Sequence, residues 1–174
     1  MNTILIGLRG CGKTTAGRVA ASLLNRAFID LDDRTTAIVG LSASECFARR
    51  GEAAWREAES RALREALDRN TASIMALGGG TPTAPEAELM LRIAREERGD
   101  AIGWLDAPAG ILAARIAGDG DRPALTELPP LEEMTEIDRR RRPIFERLAD
   151  RRIDVGEETI ATTAGAVIAL ATRG

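Results

Sequence analysis

The 174-residue sequence carries 24 basic and 27 acidic side chains, which give a net charge of −3 and a pI near 5.2. This balance offers no electrostatic reason to expect nucleic acid or an anionic membrane as a partner. The chain has no histidine and only two cysteines, which excludes a histidine base, a structural zinc site and a disulfide scaffold. A general base, if the reaction needs one, must therefore be a carboxylate.

The length and the distribution of apolar residues set further limits. The chain is expected to form a single domain over residues 1–174, with room for a sizeable core. No apolar run approaches the length of a membrane-spanning helix, and a strand pattern starts directly at the N-terminus. We therefore expect no signal peptide and a cytoplasmic protein.

Short apolar runs alternate with longer amphipathic segments, which predicts an α/β fold with a mainly parallel sheet. The predicted strands are Thr3–Ile6, Ala27–Ile29, Ser73–Leu77, Ala101–Leu105 and Ile153–Val155. The predicted helices are Gly12–Leu24, Arg34–Val39, Ser42–Gly51, Glu52–Asp68, Pro85–Glu97, Pro108–Ala117, Leu131–Leu148 and Thr159–Ala171. Residues 118–130 lack periodicity and are rich in glycine and proline, so they are predicted to form a lid.

A glycine-rich motif follows the first predicted strand. Residues 7–14 read GLRGCGKT and match the phosphate-loop pattern G-x-x-x-x-G-K-[ST] in full. Backbone N–H groups of such a loop, and the N-terminus of the helix after it, suit phosphate groups. Lys13 can reach the β- and γ-phosphates, and the Thr14 hydroxyl can ligate Mg²⁺. Lys13 is also the single lysine among 24 basic residues, and its compact ammonium fits between phosphate oxygens. The alternative is a strand–helix turn without a ligand.

Ligands of open α/β sheets bind beyond the carboxyl ends of the strands. Here Asp30 and Asp32 follow the second strand, Gly78–Gly80 the third and Asp106 the fourth, so these groups are predicted to converge on one rim with the phosphate loop. In an extended segment Asp30 and Asp32 point the same way. One could orient Mg²⁺ waters while the other takes a proton from a substrate hydroxyl. A helix N-cap is the alternative for these carboxylates and is preferred for Asp33.

The remaining candidates have weaker individual signals. The glycine triplet could bring backbone N–H groups close to a ligand or be a flexible turn. Arg56 begins a charged helix, and Arg115 and Arg122 flank the predicted lid, where a cation could meet ATP phosphates or adenine. Each alone is more often a surface charge. The run Arg139–Arg142 lacks interleaved aromatics, which argues against a nucleic-acid patch, and one of its arginines could face inward.

Six motifs in order resemble the shikimate kinase family along almost the whole chain. They are GLRGCGKTT at 7–15, D-x-D at 30–32, G-E-x-x-W-R-x-x-E at 51–59, GGG at 78–80, D-R-P-x-L at 121–125 and R-x-P-x-F at 141–145. The phosphate loop is common to many nucleotide triphosphatases, whereas the ordered set is specific. The resemblance implies ATP-dependent phosphorylation of the shikimate 3-hydroxyl on the route to chorismate. It also implies a three-layer P-loop kinase fold, with a five-stranded parallel sheet of order 2-3-1-4-5.

The resemblance further implies a role for each matched residue. ATP would be bound by Gly10, Cys11, Gly12, Lys13, Thr14, Thr15, Arg115 and Arg122, and Mg²⁺ by Thr14 and, through water, Asp30. Asp32 would bind the shikimate hydroxyls and act as base alongside the catalytic Lys13. The rest of the shikimate site would be Arg56 and Arg141 on the carboxylate and Gly78, Gly79 and Gly80 on the ring hydroxyls. The substrate-binding region would span residues 33–61, and a monomer is expected.

Several positions depart from the family pattern. Thr36 stands where glutamate is common, Trp55 replaces a phenylalanine and Phe145 a tyrosine, and the loop near the adenine carries the acidic pair Glu157 and Glu158. Two other interpretations remain open from the sequence. One is another small-molecule kinase of the same fold, such as a gluconate-type kinase. The other is a catalytically silent nucleotide-binding module, against which the intact phosphate loop and aspartate pair argue.

Overall fold

A computed structural model describes residues 1–69, 71–117 and 128–172. Most of the lid predicted at residues 118–130 therefore lies outside the described residues, and so does Arg122. The elements in chain order are β1 Thr3–Ile6, α1 Lys13–Leu23, β2 Ala27–Asp30, α2 Leu31–Val39, α3 Ala43–Leu67, β3 Ser73–Ala76, a 3₁₀ turn Thr81–Thr83, α4 Ala87–Arg98, β4 Ala101–Asp106, α5 Ala109–Ile116, α6 Pro130–Leu148, β5 Arg151–Asp154 and α7 Ile160–Ala171.

The five strands form one parallel sheet in the order β2-β3-β1-β4-β5, with helices on both sides. This confirms the predicted fold class and strand order. The central strand β1 pairs with β3 on one side and with β4 on the other, and all four of its side chains are buried. Apolar side chains on both faces are typical of a parallel strand covered by helices on each side.

The strand order decides which loops become neighbours. Because β2, β3 and β1 are adjacent and parallel, the segments that follow them leave the sheet at the same edge. The N–H of Leu77 donates to the carbonyl of Leu5 at 3.0 Å, which extends the β1–β3 pairing up to that edge. The phosphate loop, the first turn of α2 and the glycine triplet thus begin side by side.

Helix α2 begins earlier than the sequence predicted. Its first residue is Leu31 rather than Arg34, because the Asp30 side chain accepts a hydrogen bond from the N–H of Asp32 at 3.0 Å and caps the helix. Asp32 therefore lies in the first helical turn, and the prediction that Asp30 and Asp32 share one extended segment was wrong. The N-cap preferred for Asp33 was wrong as well, since Asp33 is a helical residue.

Helix α3 spans the two helices predicted around Gly51. A complete capping box between Ser42 and Glu45 starts it, and Gly51 breaks its regularity with φ 81° and ψ 166°. Helix α6 begins at Pro130, which is the last residue of the predicted lid. The 3₁₀ turn that follows the glycine triplet was not predicted. In the part of the chain that the structure describes, no helix is both long and apolar enough to cross a membrane.

Candidate active site

The phosphate loop joins β1 to α1 and lines a cavity of about 280 Å³. Gly10 and Gly12 adopt φ of 81° and 88°, a region that residues with a side chain rarely enter, so the tight wrapping of the loop depends on them. The Lys13 ammonium donates to the carbonyls of Gly7 and Leu8 at 2.8 and 2.9 Å. The cavity is lined by Arg9, Gly10, Gly12, Lys13, Thr14, Thr15, Asp30, Asp32, Leu77, Gly79, Arg115 and Ile116.

Asp30 links the phosphate loop to α2. One of its carboxylate oxygens caps that helix, and the other accepts a hydrogen bond from the Thr14 hydroxyl at 2.8 Å. Two hard oxygen donors from different elements are thereby held together at the edge of the loop cavity. Asp32, two residues further, is half-buried and also lines a second cavity.

The second cavity measures about 410 Å³ and lies between α2, α3 and α6. Charged groups from three elements line it together with an apolar wall. Its lining comprises Leu8, Arg9, Asp32, Asp33, Thr36, Ser42, Ala43, Phe47, Trp55, Arg56, Glu59, Gly79, Gly80, Met134, Ile137 and Arg141. The structure thus brings the predicted residues Asp32, Arg56 and Arg141 to one cavity, although they are far apart in sequence.

Arg56 is held in place by two carboxylates of its own helix. Its guanidinium donates to Glu59 at 2.5 Å and to Glu52 at 2.6 and 3.0 Å. Burial lowers the pKa of Arg56, but Glu59 and Glu52 more than offset that effect, so its pKa is raised. Glu59 is 1% exposed, and burial raises the pKa of its carboxyl despite Arg56, with the nearby charge of Asp32 acting in the same direction. The ion pair with Glu59 therefore orients Arg56, and burying the Glu59 carboxylate costs free energy.

Arg141 has a different environment. Within the described ranges its guanidinium makes no hydrogen bond or ion pair. Burial is the main reason that its pKa falls to about 10, and the neighbouring charge of Arg56 adds to the effect. A desolvated cation beside a second cation makes the surroundings of Arg141 favourable for an anionic ligand.

The other arginines of the 139–142 run do not line the cavity. Arg139 and Arg140 pair with Glu136 on the surface of α6. Arg142 also faces inward, where it donates to both oxygens of the buried Asp106 at 3.0 and 3.1 Å.

Asp106 was expected on the ligand-binding rim, and the structure gives it a structural role instead. Its carboxylate pairs with Arg142 and Arg152, whose guanidinium groups both lie over the ring of Trp104. The side chain is buried and absent from both cavities. At this strand end the chain builds an ion-pair cluster between β4, β5 and α6.

Packing explains why glycine occupies positions 78 and 80, which the sequence did not reveal. A Cβ atom on Gly78 would collide with Oδ1 of Asp32 and would lie 2.7 Å from Oε1 of Glu59. A Cβ atom on Gly80 would overlap the guanidinium of Arg56. The missing side chains therefore let the charged groups of the cavity approach the end of β3.

We expect Gly78→Ala to lower kcat/KM for a substrate bound in the larger cavity by about 10²-fold, because the displaced carboxylates of Asp32 and Glu59 lose their geometry. The overpacking should lower the free energy of unfolding by about 1–3 kcal/mol. Steady-state kinetics and urea unfolding measure the two effects. Gly165→Ala is the matched control, since an added Cβ there meets nothing within 4 Å. Wild-type kcat/KM in Gly78→Ala would contradict the packing role.

Two charged residues that line the cavities were not assigned from the sequence. Glu59 was noted only as part of a motif, yet a glutamate on the apolar face that includes Ala58, Ala62 and Leu63 signals a buried ion pair. Arg9 was treated as a variable loop position, although it lines both cavities. Nothing in the loop pattern itself shows which way this side chain points.

The family departures fall in different environments. Thr36 and Trp55 line the larger cavity, where Trp55 packs edge-on against Phe47 with ring centroids 6.3 Å apart. Phe145 lines neither of the two cavities. Instead it is fully buried in the core beside Trp104.

Comparisons with known proteins agree with this geometry. A model of the family described as shikimate kinase matches residues 9–171. A shikimate kinase of Rhodopirellula baltica is 35% identical over 166 residues, covering 90% of this chain and 82% of that protein. One of Limosilactobacillus fermentum is 34% identical over 172 residues, covering 98% of this chain and 94% of the relative.

A solved structure is also similar over nearly the whole fold. The shikimate kinase of Acinetobacter baumannii, in complex with shikimate, superposes with a TM-score of 0.88 at 28% sequence identity. The alignment covers 97% of this chain and 91% of that one.

Proposed function

This chain belongs to the shikimate kinase family, and from that membership we propose that it transfers the γ-phosphoryl group of ATP to the 3-hydroxyl of shikimate. The family makes it a phosphotransferase with an alcohol acceptor and a nucleotide co-substrate. One observation carries the proposal: the phosphate-loop cavity and the larger cavity, which contains Arg56 and Arg141, share a wall at Asp32. A donor and an acceptor bound in the two cavities would meet at that carboxylate.

On the donor side the phosphate loop would hold ATP. Backbone N–H groups of residues 10–15 and the N-terminus of α1 favour the negative charge of the phosphates. The Lys13 ammonium would exchange the carbonyls of Gly7 and Leu8 for phosphate oxygens, an exchange of hydrogen-bond partners within reach of the same side chain. Its charge would then offset the charge that develops on the β- and γ-phosphate oxygens.

Magnesium fits the phosphate-loop cavity, where ATP would bind. Mg²⁺ binds few protein oxygens and takes its other ligands from phosphate and water, and the adjacent Thr14 hydroxyl and Asp30 carboxylate supply such oxygens. Among the described residues no cluster of three or more His, Cys, Asp or Glu side chains could hold a metal by itself. Thr14, with Asp30 acting through water, would hold Mg²⁺, which would supply positive charge to neutralise the phosphates.

On the acceptor side the carboxylate of shikimate would bind Arg141 and Arg56. The planar guanidinium suits a carboxylate because it donates two parallel hydrogen bonds. Glu59 would keep Arg56 in position while Asp32 and the backbone of Gly78–Gly80 contact the ring hydroxyls. Shikimate fits because it carries a carboxylate and several hydroxyls on one ring.

The chemical step needs only these groups. A new bond forms between the 3-hydroxyl oxygen and the γ-phosphorus as the bond from that phosphorus to the β,γ-bridging oxygen breaks, and ADP leaves with the electron pair. Asp32 would accept the hydroxyl proton as general base. Closure of the lid would exclude water, which otherwise could take the phosphoryl group.

The remaining assignments concern the nucleotide base and the surroundings of the enzyme. Arg115 donates to the carbonyls of Val155 and Gly156 at 2.8 Å each, next to Glu157 and Glu158, so we assign it to the adenine. Arg122 would close with the lid onto the phosphates. We further propose one domain, a monomer in the cytoplasm, and neither nucleic-acid nor membrane partners.

The direct test is coupled ADP release with ATP and Mg²⁺ in the presence of shikimate, quinate or gluconate. We expect ADP release that depends on shikimate and a product phosphorylated at the 3-hydroxyl. Preference for gluconate would favour the gluconate-type kinase, and ATP binding with no acceptor-dependent turnover would favour a silent nucleotide-binding module. The family match argues against both alternatives, and the phosphate loop with Asp30 and Asp32 argues further against the silent module.

A further inference from the structure

The wall between the two cavities is built from three residues. Arg9, Asp32 and Gly79 are the described residues that line both the phosphate-loop cavity, here called the donor cavity, and the larger cavity beside Arg56 and Arg141, here called the acceptor cavity. A phosphoryl group that passes from one cavity to the other must cross this wall. Asp32 carries a negative charge and Gly79 has no side chain, so Arg9 is the cation at the crossing point within the described part of the chain.

Arg9 is fixed to the loop rather than loosely exposed. It occupies the third position of the phosphate loop, and its side chain is 21% exposed. A Cβ on Gly79 would lie 3.2 Å from the Arg9 backbone nitrogen, so the loop and the glycine turn pack directly against each other. Its Nη2 lies 3.9 Å from Oε2 of Glu133 on α6, whose side chain is 5% exposed.

The separation from Glu133 matters because 3.9 Å exceeds the length of a hydrogen bond. At this distance the Arg9 guanidinium and the Glu133 carboxylate form an ion pair rather than a hydrogen bond with each other. The charge of Arg9 also reaches Arg141, whose pKa it helps to lower. Arg9 thus adds positive potential at the side of the acceptor cavity that faces the phosphate loop.

We propose that Arg9 is a catalytic residue that contacts the phosphoryl group during transfer, an inference that rests on the proposed kinase function. Charge in this transition state spreads over the three equatorial oxygens of the γ-phosphoryl group, and a planar guanidinium can donate to two of them at once. Lys13 reaches the group from the nucleotide side, and Arg9 reaches it from the wall. The cation is supplied by the phosphate loop itself.

The test compares Arg9→Met with wild type, with Arg140→Met as control because Arg140 is exposed on α6 and pairs with Glu136. We expect kcat of Arg9→Met to fall by about 10²-fold, a modest share of what an arginine contact to the phosphoryl group can contribute. KM for ATP and for shikimate should stay within about threefold, since the contact forms in the transition state. Arg140→Met should keep wild-type kinetics.

Two further measurements separate catalysis from structure. Formation of the ternary complex with ADP, aluminium fluoride and shikimate, measured by calorimetry, should weaken in Arg9→Met by the same factor as kcat. Glu133→Gln removes the ion pair but keeps Arg9, so its loss of kcat should be at least about tenfold smaller than that of Arg9→Met. Arg9→Lys should recover only part of kcat, because an ammonium cannot donate in the same planar fork.

Other outcomes overturn the inference. An equal loss in Glu133→Gln would give Arg9 a structural role, and a rise in shikimate KM with unchanged kcat would assign it to substrate binding. Unchanged kinetics of Arg9→Met would also refute it. If Arg9→Met does not fold, unchanged kcat in Arg9→Lys has the same consequence. A wild-type protein without shikimate-dependent ADP release would refute the proposed function itself, a result distinguishable from every variant effect.

Discussion

Asp32→Asn is expected to lower kcat for shikimate phosphorylation by about 10³-fold, within the range for loss of a general base. Asparagine keeps the shape of the side chain and can still hydrogen-bond a hydroxyl, but it cannot accept the proton. Affinity for ATP should change little, because Lys13 and the loop amides remain. A coupled ADP assay gives kcat, and calorimetry with ATP gives the affinity.

The control for this change is Asp68→Asn, which removes an exposed carboxylate paired with Arg98 at the end of α3. It should keep the wild-type rate. A kcat for Asp32→Asn within about tenfold of wild type would remove Asp32 as the base. The geometry leaves few replacements, because Asp32 is the carboxylate among the described residues that line both cavities.

Arg141→Met should raise KM for shikimate by about 10²-fold, in line with the loss of charge-assisted hydrogen bonds to a carboxylate. Arg141 should matter more than Arg56, since the charge of Arg56 is already shared with Glu52 and Glu59. KM for ATP should remain near the wild-type value. Arg140→Met, one position away and exposed, is the control. Unchanged shikimate KM in Arg141→Met would remove Arg141 from the carboxylate site.

Arg141→Met should weaken shikimate binding without lowering the free energy of unfolding. Because burial lowers the pKa of Arg141 to about 10, the folded state holds this proton less tightly than the unfolded state. The charged group therefore destabilises the fold fully at pH values below about 10, and the cost declines as the pH rises from about 10 toward the ordinary pKa of arginine. At pH 7 Arg141→Met should unfold at equal or higher urea concentration than wild type, a trade of stability for binding.

The sequence by itself determined the class of fold and the donor half of the chemistry. Alternating apolar and amphipathic segments predicted the parallel sheet, because hydrophobic periodicity is a local property of the chain. The phosphate loop was equally readable, since its glycines, Lys13 and Thr14 are adjacent in sequence and their function depends on local backbone geometry. The six ordered motifs identified the family.

Only the tertiary structure decided how the acceptor half is arranged. Whether Asp32 is extended or helical depends on a capping bond from Asp30, and its approach to Glu59 depends on the absence of a side chain at Gly78. Which arginine of the run 139–142 faces the cavity also depends on tertiary packing, so the sequence left it open. Helix α6 turns Arg142 toward Asp106 and leaves Arg141 facing the cavity.

There is a physical reason that the donor half could be predicted from the sequence and the arrangement of the acceptor half could not. Backbone propensities and motif spacing act over a few residues, whereas the charge balance of a cavity depends on groups that meet from different elements. Arg56 and Arg141 are 85 positions apart by their numbers, yet the charge of Arg56 helps to lower the pKa of Arg141. Arg9 became visible as a candidate only when packing placed its loop position on the wall between the two cavities.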